Sequence, residues 1–298
     1  MLEIKNVTKT FGDLNALDNL SFNVQEGTVF GLVGSNGSGK STLLRAINGI
    51  YRVEKGEILI DGESTFENIN AKNKCFFISD FPYFFNYSTV ENTAYIYRKI
   101  YENWDEDYYN ELCSTFPINK KQRIINMSKG MQRQAALILA LSTKPKYLFL
   151  DEIFDGLDPV VRQLVKKLLI TAVTDNNTTV MIASHNLREL EDVCDHIGLL
   201  HKGGVIMERE LDDMKLGIHK VQIAFKEDTE QSIFDGFNTT KIKRQGNLFN
   251  ITIRGDESEF MPKLEALNPV FLESLPLTLE EVFINEMEGA GYDINNIL

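Results

Sequence analysis

The residues best equipped for chemistry form one unbroken stretch: Gly34, Ser35, Asn36, Gly37, Ser38, Gly39, Lys40, Ser41 and Thr42. They match the pattern Gly-x-x-x-x-Gly-Lys-Ser/Thr at every fixed position. Glycines let a backbone wrap closely round a polyphosphate, because a Cβ would block several of the dihedrals needed. Loop amides and the N-terminus of a following helix then aim donors and positive dipole at the phosphates. In this pattern Lys40 reaches the terminal phosphates and the Ser41 hydroxyl is placed to ligate Mg²⁺. Further along, the apolar run Tyr147-Leu148-Phe149-Leu150 ends in two carboxylates, Asp151 and Glu152. Asp151 can hold Mg²⁺ through water, and Glu152 can polarise a water for attack on a γ-phosphate. His185 stands just after a second apolar run, Thr178–Ser184. It is either a structural histidine at a strand end or a phosphate-facing one. The second reading is favoured because the strand ends of one parallel sheet converge on one crevice.

These groups need elements to hold them. Val29–Val33 is short and apolar enough for a buried strand before the loop, and Leu43, Leu44, Ala46 and Ile47 recur at helical spacing after it. Upstream, Leu2, Ile4 and Val7 begin one strand, and Leu20, Phe22 and Val24 alternate in another. Phe11 sits at the turn between them, either as core or, with a nucleotide loop following, as a ring that stacks on a base. Gly56–Gly62 predicts a strand ending in an Asp-Gly turn, and Cys75–Ser79 another that runs into Asp80. Thr89 to Tyr101 has helical character, with Thr89 as its cap. Aromatics crowd the stretch from Phe81 to Tyr109, which reads either as core or as a groove that grips an apolar partner. Asn126–Gln132 predicts a loop that caps a helix over Arg133–Ser142. Pro159 suits the first turn of a helix carrying Val161, Leu164, Val165, Leu168 and Ala172.

With 298 residues, 43% of them apolar, the chain has material for one large domain or two modest ones. A formal charge of −12 speaks against a nucleic-acid partner. Cys75, Cys113 and Cys194 are scattered and odd in number, which suggests a reducing compartment and no disulfide framework. Neither a signal peptide nor an apolar run of the ~20 residues that a membrane helix needs is visible. The chain reads as soluble, with a membrane protein still a possible docking partner.

Gly34–Thr42, Ser128-Lys129-Gly130-Met131, Leu150-Asp151-Glu152, Asp155-Gly156-Leu157-Asp158 and Ser184-His185, in this order, make residues 1 to about 208 resemble the nucleotide-binding domain of an ABC transporter. The resemblance implies an α/β P-loop NTPase fold with a helical subdomain at about 81–144, and ATP with Mg²⁺ as its cofactors. It implies Phe11 on the adenine, Lys40 on the phosphates, Glu152 as catalytic base and His185 as switch residue. Ser128 and Gly130 would contact the γ-phosphate held by a second subunit, and Asp158 would lie in a loop crossing the dimer interface. Asp80 stands where the family usually has Gln, and its carboxylate can coordinate Mg²⁺ through water. Lys129 replaces the more common Gly and adds a cation near the phosphates. The helical subdomain would receive a coupling helix from a membrane permease.

Residues 209–298 fall outside that motif set. They read as strand (Lys220–Phe225), helix (Glu230–Phe237), strand (Thr239–Lys243), strand (Leu248–Ile253), helix (Ser258–Leu267) and strand (Val270–Leu275), the order of a split β-α-β unit. A small α+β accessory or regulatory domain is expected here, followed by a helix opened by the capping box Thr278-x-x-Glu281. Leu279–Ile284 is similar to the tails of bacterial exporter ATPases that serve drug, antibiotic or peptide export. The whole reads as the ATP-hydrolysing subunit of such an exporter, paired in a homodimer or heterodimer and peripheral on the cytoplasmic face of the membrane. The alternative is a regulatory or immunity module of the same ATPase class.

Overall fold

Alternating apolar residues organise the start of the chain. β1 (Leu2–Phe11) and β2 (Leu14–Val24) form an antiparallel hairpin whose Leu2, Ile4, Val7, Leu20, Phe22 and Val24 are all buried. The computed structural model describes residues 1–211, 217–275 and 277–289. They fall into two compact units, Met1–Glu208 and Arg209–Leu298.

In the first unit, β3 (Val29–Val33) leads into α1 (Lys40–Ile47). β4 (Lys55–Ile60) and β5 (Glu63–Ser64) join the hairpin in a four-stranded sheet of order β2-β1-β4-β5. After α2 (Ile69–Asn73) come β6 (Cys75–Ile78), α3 (Val90–Ile100), α4 (Glu106–Thr115), α5 (Lys129–Ser142) and β7 (Tyr147–Asp151). The unit continues through α6 (Pro159–Asn176), β8 (Thr179–Ser184), α7 (Leu187–Leu190), β9 (His196–His201) and β10 (Gly204–Glu210). The second sheet has the order β10-β9-β3-β8-β7-β6, with β9, β3, β8, β7 and β6 parallel. β3, β7 and β8 are buried along their whole length, as strands of a parallel sheet covered on both faces must be. Parallel pairing aligns Val33 with Ser184 and Asp151 with Ala183, so the loops after these strands share one edge.

Thr89 caps α3 as expected, accepting from Asn92 N at 3.1 Å. α5 differs from expectation, starting at Lys129 instead of Arg133. Ser128 Oγ accepts from Met131 N at 3.2 Å and so satisfies one of the helix's orphan donors. The aromatic stretch divides. Tyr109 lies in the core, whereas Phe81, Tyr83, Phe85 and Tyr87 are each between 69% and 82% exposed. Tyr95, Ile96 and Ile100 on α3 are exposed as well.

The second unit contains β11 (Ile218–Ala224), β12 (Thr239–Gln245), β13 (Leu248–Arg254), α8 (Glu257–Glu265), β14 (Phe271–Leu275) and α9 (Leu279–Gly289). Its antiparallel sheet has the order β12-β13-β11-β14, that of the split β-α-β unit. The helix expected over Glu230–Phe237 is a single 3₁₀ turn, Gln231–Phe234. Phe234 is fully buried and anchors that turn, and Gly236 stands two residues further on, which disfavours continuation. The capping box forms: Thr278 Oγ1 accepts from Glu281 N, and Glu281 Oε2 accepts from Thr278 N, each at 3.2 Å.

Candidate nucleotide site

The loop after β3 can only be built with its glycines. Gly39 has φ 111°, and a Cβ there would sit 2.4 Å from the Ala16 carbonyl oxygen. A Cβ on Gly34 would sit 2.3 Å from the Leu200 carbonyl oxygen. Lys40, the first residue of α1, is only 5% exposed. Its Nζ donates to the carbonyls of Gly34 at 2.6 Å and Ser35 at 3.1 Å, so the ammonium folds back over the loop. Burial pulls the Lys40 pKa down, against the opposing charges of Glu152 and Asp151. The Ser38 hydroxyl is buried beside it without a partner.

Asp151 ends β7 fully buried, and neither carboxylate oxygen has a full hydrogen-bond partner. Burial pushes its pKa up, while the Ser41 hydroxyl lies near enough to draw it down. An orphaned carboxylate beside a hydroxyl is costly by itself. It is also an all-oxygen donor set suited to a hard divalent cation.

Glu152 turns the chain sharply at φ 48°, its amide donating to the Ala183 carbonyl at 2.9 Å. The turn brings its Oε2 to 3.0 Å from His185 Nδ1. That contact raises the His185 pKa, with burial opposing it. Asp155 joins them, the three side chains offering polar atoms within 4.8 Å of one another. Its place beside the pair was not legible in the sequence, since only the turn after Glu152 points it there.

The remaining expected residues lie at helix starts or at the mouth of the fold. Ser128 caps α5, and Asp158 caps α6, accepting from Val160 N and Val161 N, both at 3.0 Å. A Cβ on Gly130 would lie 2.7 Å from the Gly156 carbonyl oxygen, so the start of α5 packs on the loop after Glu152. Among the described residues, no hydrogen bond joins Ser128, Gly130 or Asp158 to Gly34–Thr42. The Lys129 ammonium stands 5.5 Å from the centre of the exposed Phe81 ring. Phe11 is outside the core at 44% exposure, edge-on to Tyr51 with centroids 5.3 Å apart.

Asp80 has a partner that the sequence did not suggest. Its Oδ1 accepts from Arg133 Nη2 at 2.7 Å, and the same nitrogen donates to the Asp80 carbonyl at 3.1 Å. Arg133 Nη1 donates to the Asp155 carbonyl. One cation, 6% exposed, thus ties the segment after β6, helix α5 and the loop after Glu152 together. The available signal was a charge on a helix whose residues from Arg133 to Ser142 are otherwise nearly all apolar. Arg133→Ala leaves Asp80 without its cation and the Asp155 carbonyl without its donor. The expected loss is about 2–3 kcal/mol, below that of a fully enclosed pair because the Asp80 side chain is 31% exposed. Denaturant midpoints check it, and a change within about 0.5 kcal/mol of wild type would remove Arg133 from this role.

A glycine loop between a central parallel strand and its helix, with Asp151 ending the next strand but one and Glu152 just after it, defines a P-loop nucleotide-binding domain. The chain belongs to the ABC transporter family, as a subunit that binds and hydrolyses ATP. Residues 17–155 match the family model described as ABC transporter. Over 289 residues the chain is 31% identical to the ABC transporter ATP-binding protein YtrB of Bacillus subtilis (strain 168), covering 97% of this chain and 99% of that protein. It is 29% identical over 218 residues to the bacitracin transport ATP-binding protein BcrA of Bacillus licheniformis, covering 72% and 71% of the two chains. A solved ATP-binding subunit of an ABC transporter matches with a TM-score of 0.66 at 25% identity, over 72% of this chain and 92% of the other. Subunits of this family dimerise and work with membrane permeases. Among the described residues, no helix is long and apolar enough to cross a membrane.

Proposed function

We propose that this chain drives export of a peptide, antibiotic or other amphipathic substrate, docked on a separate permease at the cytoplasmic face of the membrane. Likeness to the bacitracin transport protein supports the substrate class. The observation that carries the catalytic reading is the Glu152–His185 pair at the strand edge shared with Asp151 and the Lys40 loop. In this reading the amides of Gly34–Thr42 and the Lys40 ammonium hold the phosphates, and Phe11 stacks on the adenine. Ser41 and Asp151 hold Mg²⁺, which supplies charge neutralisation on the phosphates when bound. Asp80, occupied by Arg133, acts on that site through the link to α5. Glu152 accepts a proton from the attacking water as its oxygen bonds to the γ-phosphorus, and the bond to the bridging oxygen breaks with its electrons leaving on ADP. His185 holds the Glu152 carboxylate in place. Ser128, Gly130 and Asp158, set apart from the loop in one chain, serve the nucleotide of a second ATPase subunit, identical or related. Residues 209–298 form an accessory domain.

The exposed Phe81, Tyr83, Phe85 and Tyr87 support docking, since contiguous exposed aromatics mark interaction surfaces. In detergent extracts the chain is expected to copurify with an integral membrane protein, and the ATP turnover of that complex is expected to rise with an amphipathic peptide cargo. Tyr83→Ser with Phe85→Ser should release the permease and leave the ATPase fold intact. Recovery only of soluble partners would overturn the transport assignment.

A further inference from the structure

The second unit has a polar face that nucleotide chemistry does not use. Val221, Ile223, Ile251 and Ile253 are buried on one side of its sheet. Alternation turns the residues between them to the other side. There the pairing registers place Lys241, Thr252 and Lys220 in one cross-strand row, and Lys243, Asn250 and Gln222 in the next. Lys220 is met by Glu281 of α9 at 2.6 Å. Among the described residues, no carboxylate pairs with Lys241 or Lys243. Lys241 and Lys243 stand two residues apart on β12 and Lys220 lies across β13 from Lys241, so among the described residues three ammonium groups share one face with a single carboxylate.

This face is also concave. Together with Leu277, Glu281 and Ile284 it lines a cavity of about 360 Å³ that carries all three lysines, so the one carboxylate in the lining is the one already paired with Lys220. Thr252, 8% exposed, and Asn250 lie on its sheet side. The Asn250 Oδ1 accepts from Gln222 Nε2 at 2.8 Å, which leaves the Asn250 NH₂ to donate elsewhere. A few convergent polar groups set against an apolar wall, in a cavity of this size, is the make-up of a small-molecule site. A merely solvated lysine face needs neither enclosure nor an apolar wall.

We propose that this cavity binds a small amphipathic anion, a phosphate or carboxylate carried on an apolar body. The anionic head sits between Lys220 and Lys241 over Thr252, with Lys243 and Asn250 beside it, and the body lies against Leu277 and Ile284. The site reaches α9 directly: Glu281, which meets Lys220, is also the acidic half of the capping box that starts that helix. An anion competing for Lys220 therefore acts on the first turn of α9.

Calorimetric titration of the full chain with octyl phosphate, against octyl glucoside as the uncharged control, tests this. Wild type is expected to bind octyl phosphate more tightly than the glucoside, with affinity falling as salt rises. Lys241→Gln with Lys243→Gln is expected to weaken octyl phosphate binding by about tenfold or more. Both proteins keep the nucleotide loop, so any binding there cancels in the comparison. Equal affinity in the two proteins, or equal affinity for the two amphiphiles, overturns the site. Sedimentation with phosphatidylglycerol vesicles then separates the two sources of such an anion. Pelleting of wild type but not of the double variant assigns the head to a lipid, and retention of wild type in the supernatant assigns it to a soluble ligand. Either of these upholds the cavity as the binding site.

Discussion

Glu152→Gln is expected to bind ATP as wild type does and to lose turnover by about 10²- to 10⁴-fold, the usual contribution of a positioned general base. The amide keeps the size of the carboxylate and can still meet His185 Nδ1, now 3.0 Å from Oε2. It cannot take a proton from water. In the proposed reading nucleotide is held by other residues, chiefly the loop and Lys40, so affinity is expected to be retained. Bound ATP that is not hydrolysed should accumulate in a closed dimer, visible as a doubling of mass by scattering when ATP is added. A second readout isolates the pair itself. Glu152 raises the His185 pKa, so the stabilisation from that contact is present below the ordinary value of 6.5 and lost as pH rises through the folded value. In Glu152→Gln the His185 titration should move down toward 6.5, as followed by NMR. Wild-type turnover in this variant would remove Glu152 from its role, whatever the histidine did.

Lys40→Ala should weaken nucleotide binding itself by about 1.5–3 kcal/mol, which is about tenfold to more than a hundredfold in affinity. The ammonium is already desolvated, its pKa lowered by burial, and it bonds only to two loop carbonyls. A buried cation whose hydrogen bonds go to neutral carbonyls, with Glu152 and Asp151 acting on it only through space, is incompletely compensated, as its lowered pKa shows. Removing it should therefore leave the thermal midpoint of the nucleotide-free protein unchanged or raised, while the stabilisation conferred by added ATP shrinks. That opposite movement separates loss of a ligand contact from loss of fold. Unchanged affinity in a direct titration would count against the phosphate cradle.

Arg133 bears on how these effects spread. It touches both Asp80 and the loop that follows Glu152. Arg133 thus connects α5, which Ser128 caps and whose first turn carries Gly130, to the loop beside the Glu152–His185 pair. Gly130 reinforces the link, since any side chain there would strike the Gly156 carbonyl.

Local sequence was enough to settle the parts of this protein whose causes are local. Gly34–Thr42 announces a phosphate loop because only glycine tolerates the left-handed φ of Gly39. The buried strands Val29–Val33, Tyr147–Asp151 and Thr179–Ser184 are unbroken apolar runs, and Thr89 and Thr278 cap helices by reaching only three residues ahead. Tertiary structure alone decided what depends on residues far apart in the chain. The pairing of Asp80 with Arg133, 53 residues away, needs α5 laid beside the end of β6. The meeting of Glu152 with His185 needs β7 and β8 to be parallel neighbours and Glu152 to turn left-handed. The split of the aromatic stretch into buried Tyr109 on α4 and exposed Tyr83 in the loop before α3 depends on tertiary packing, and the lysine-lined cavity depends on strand register. Side-chain spacing along a chain reports the period of an element, but not which element will pack against it.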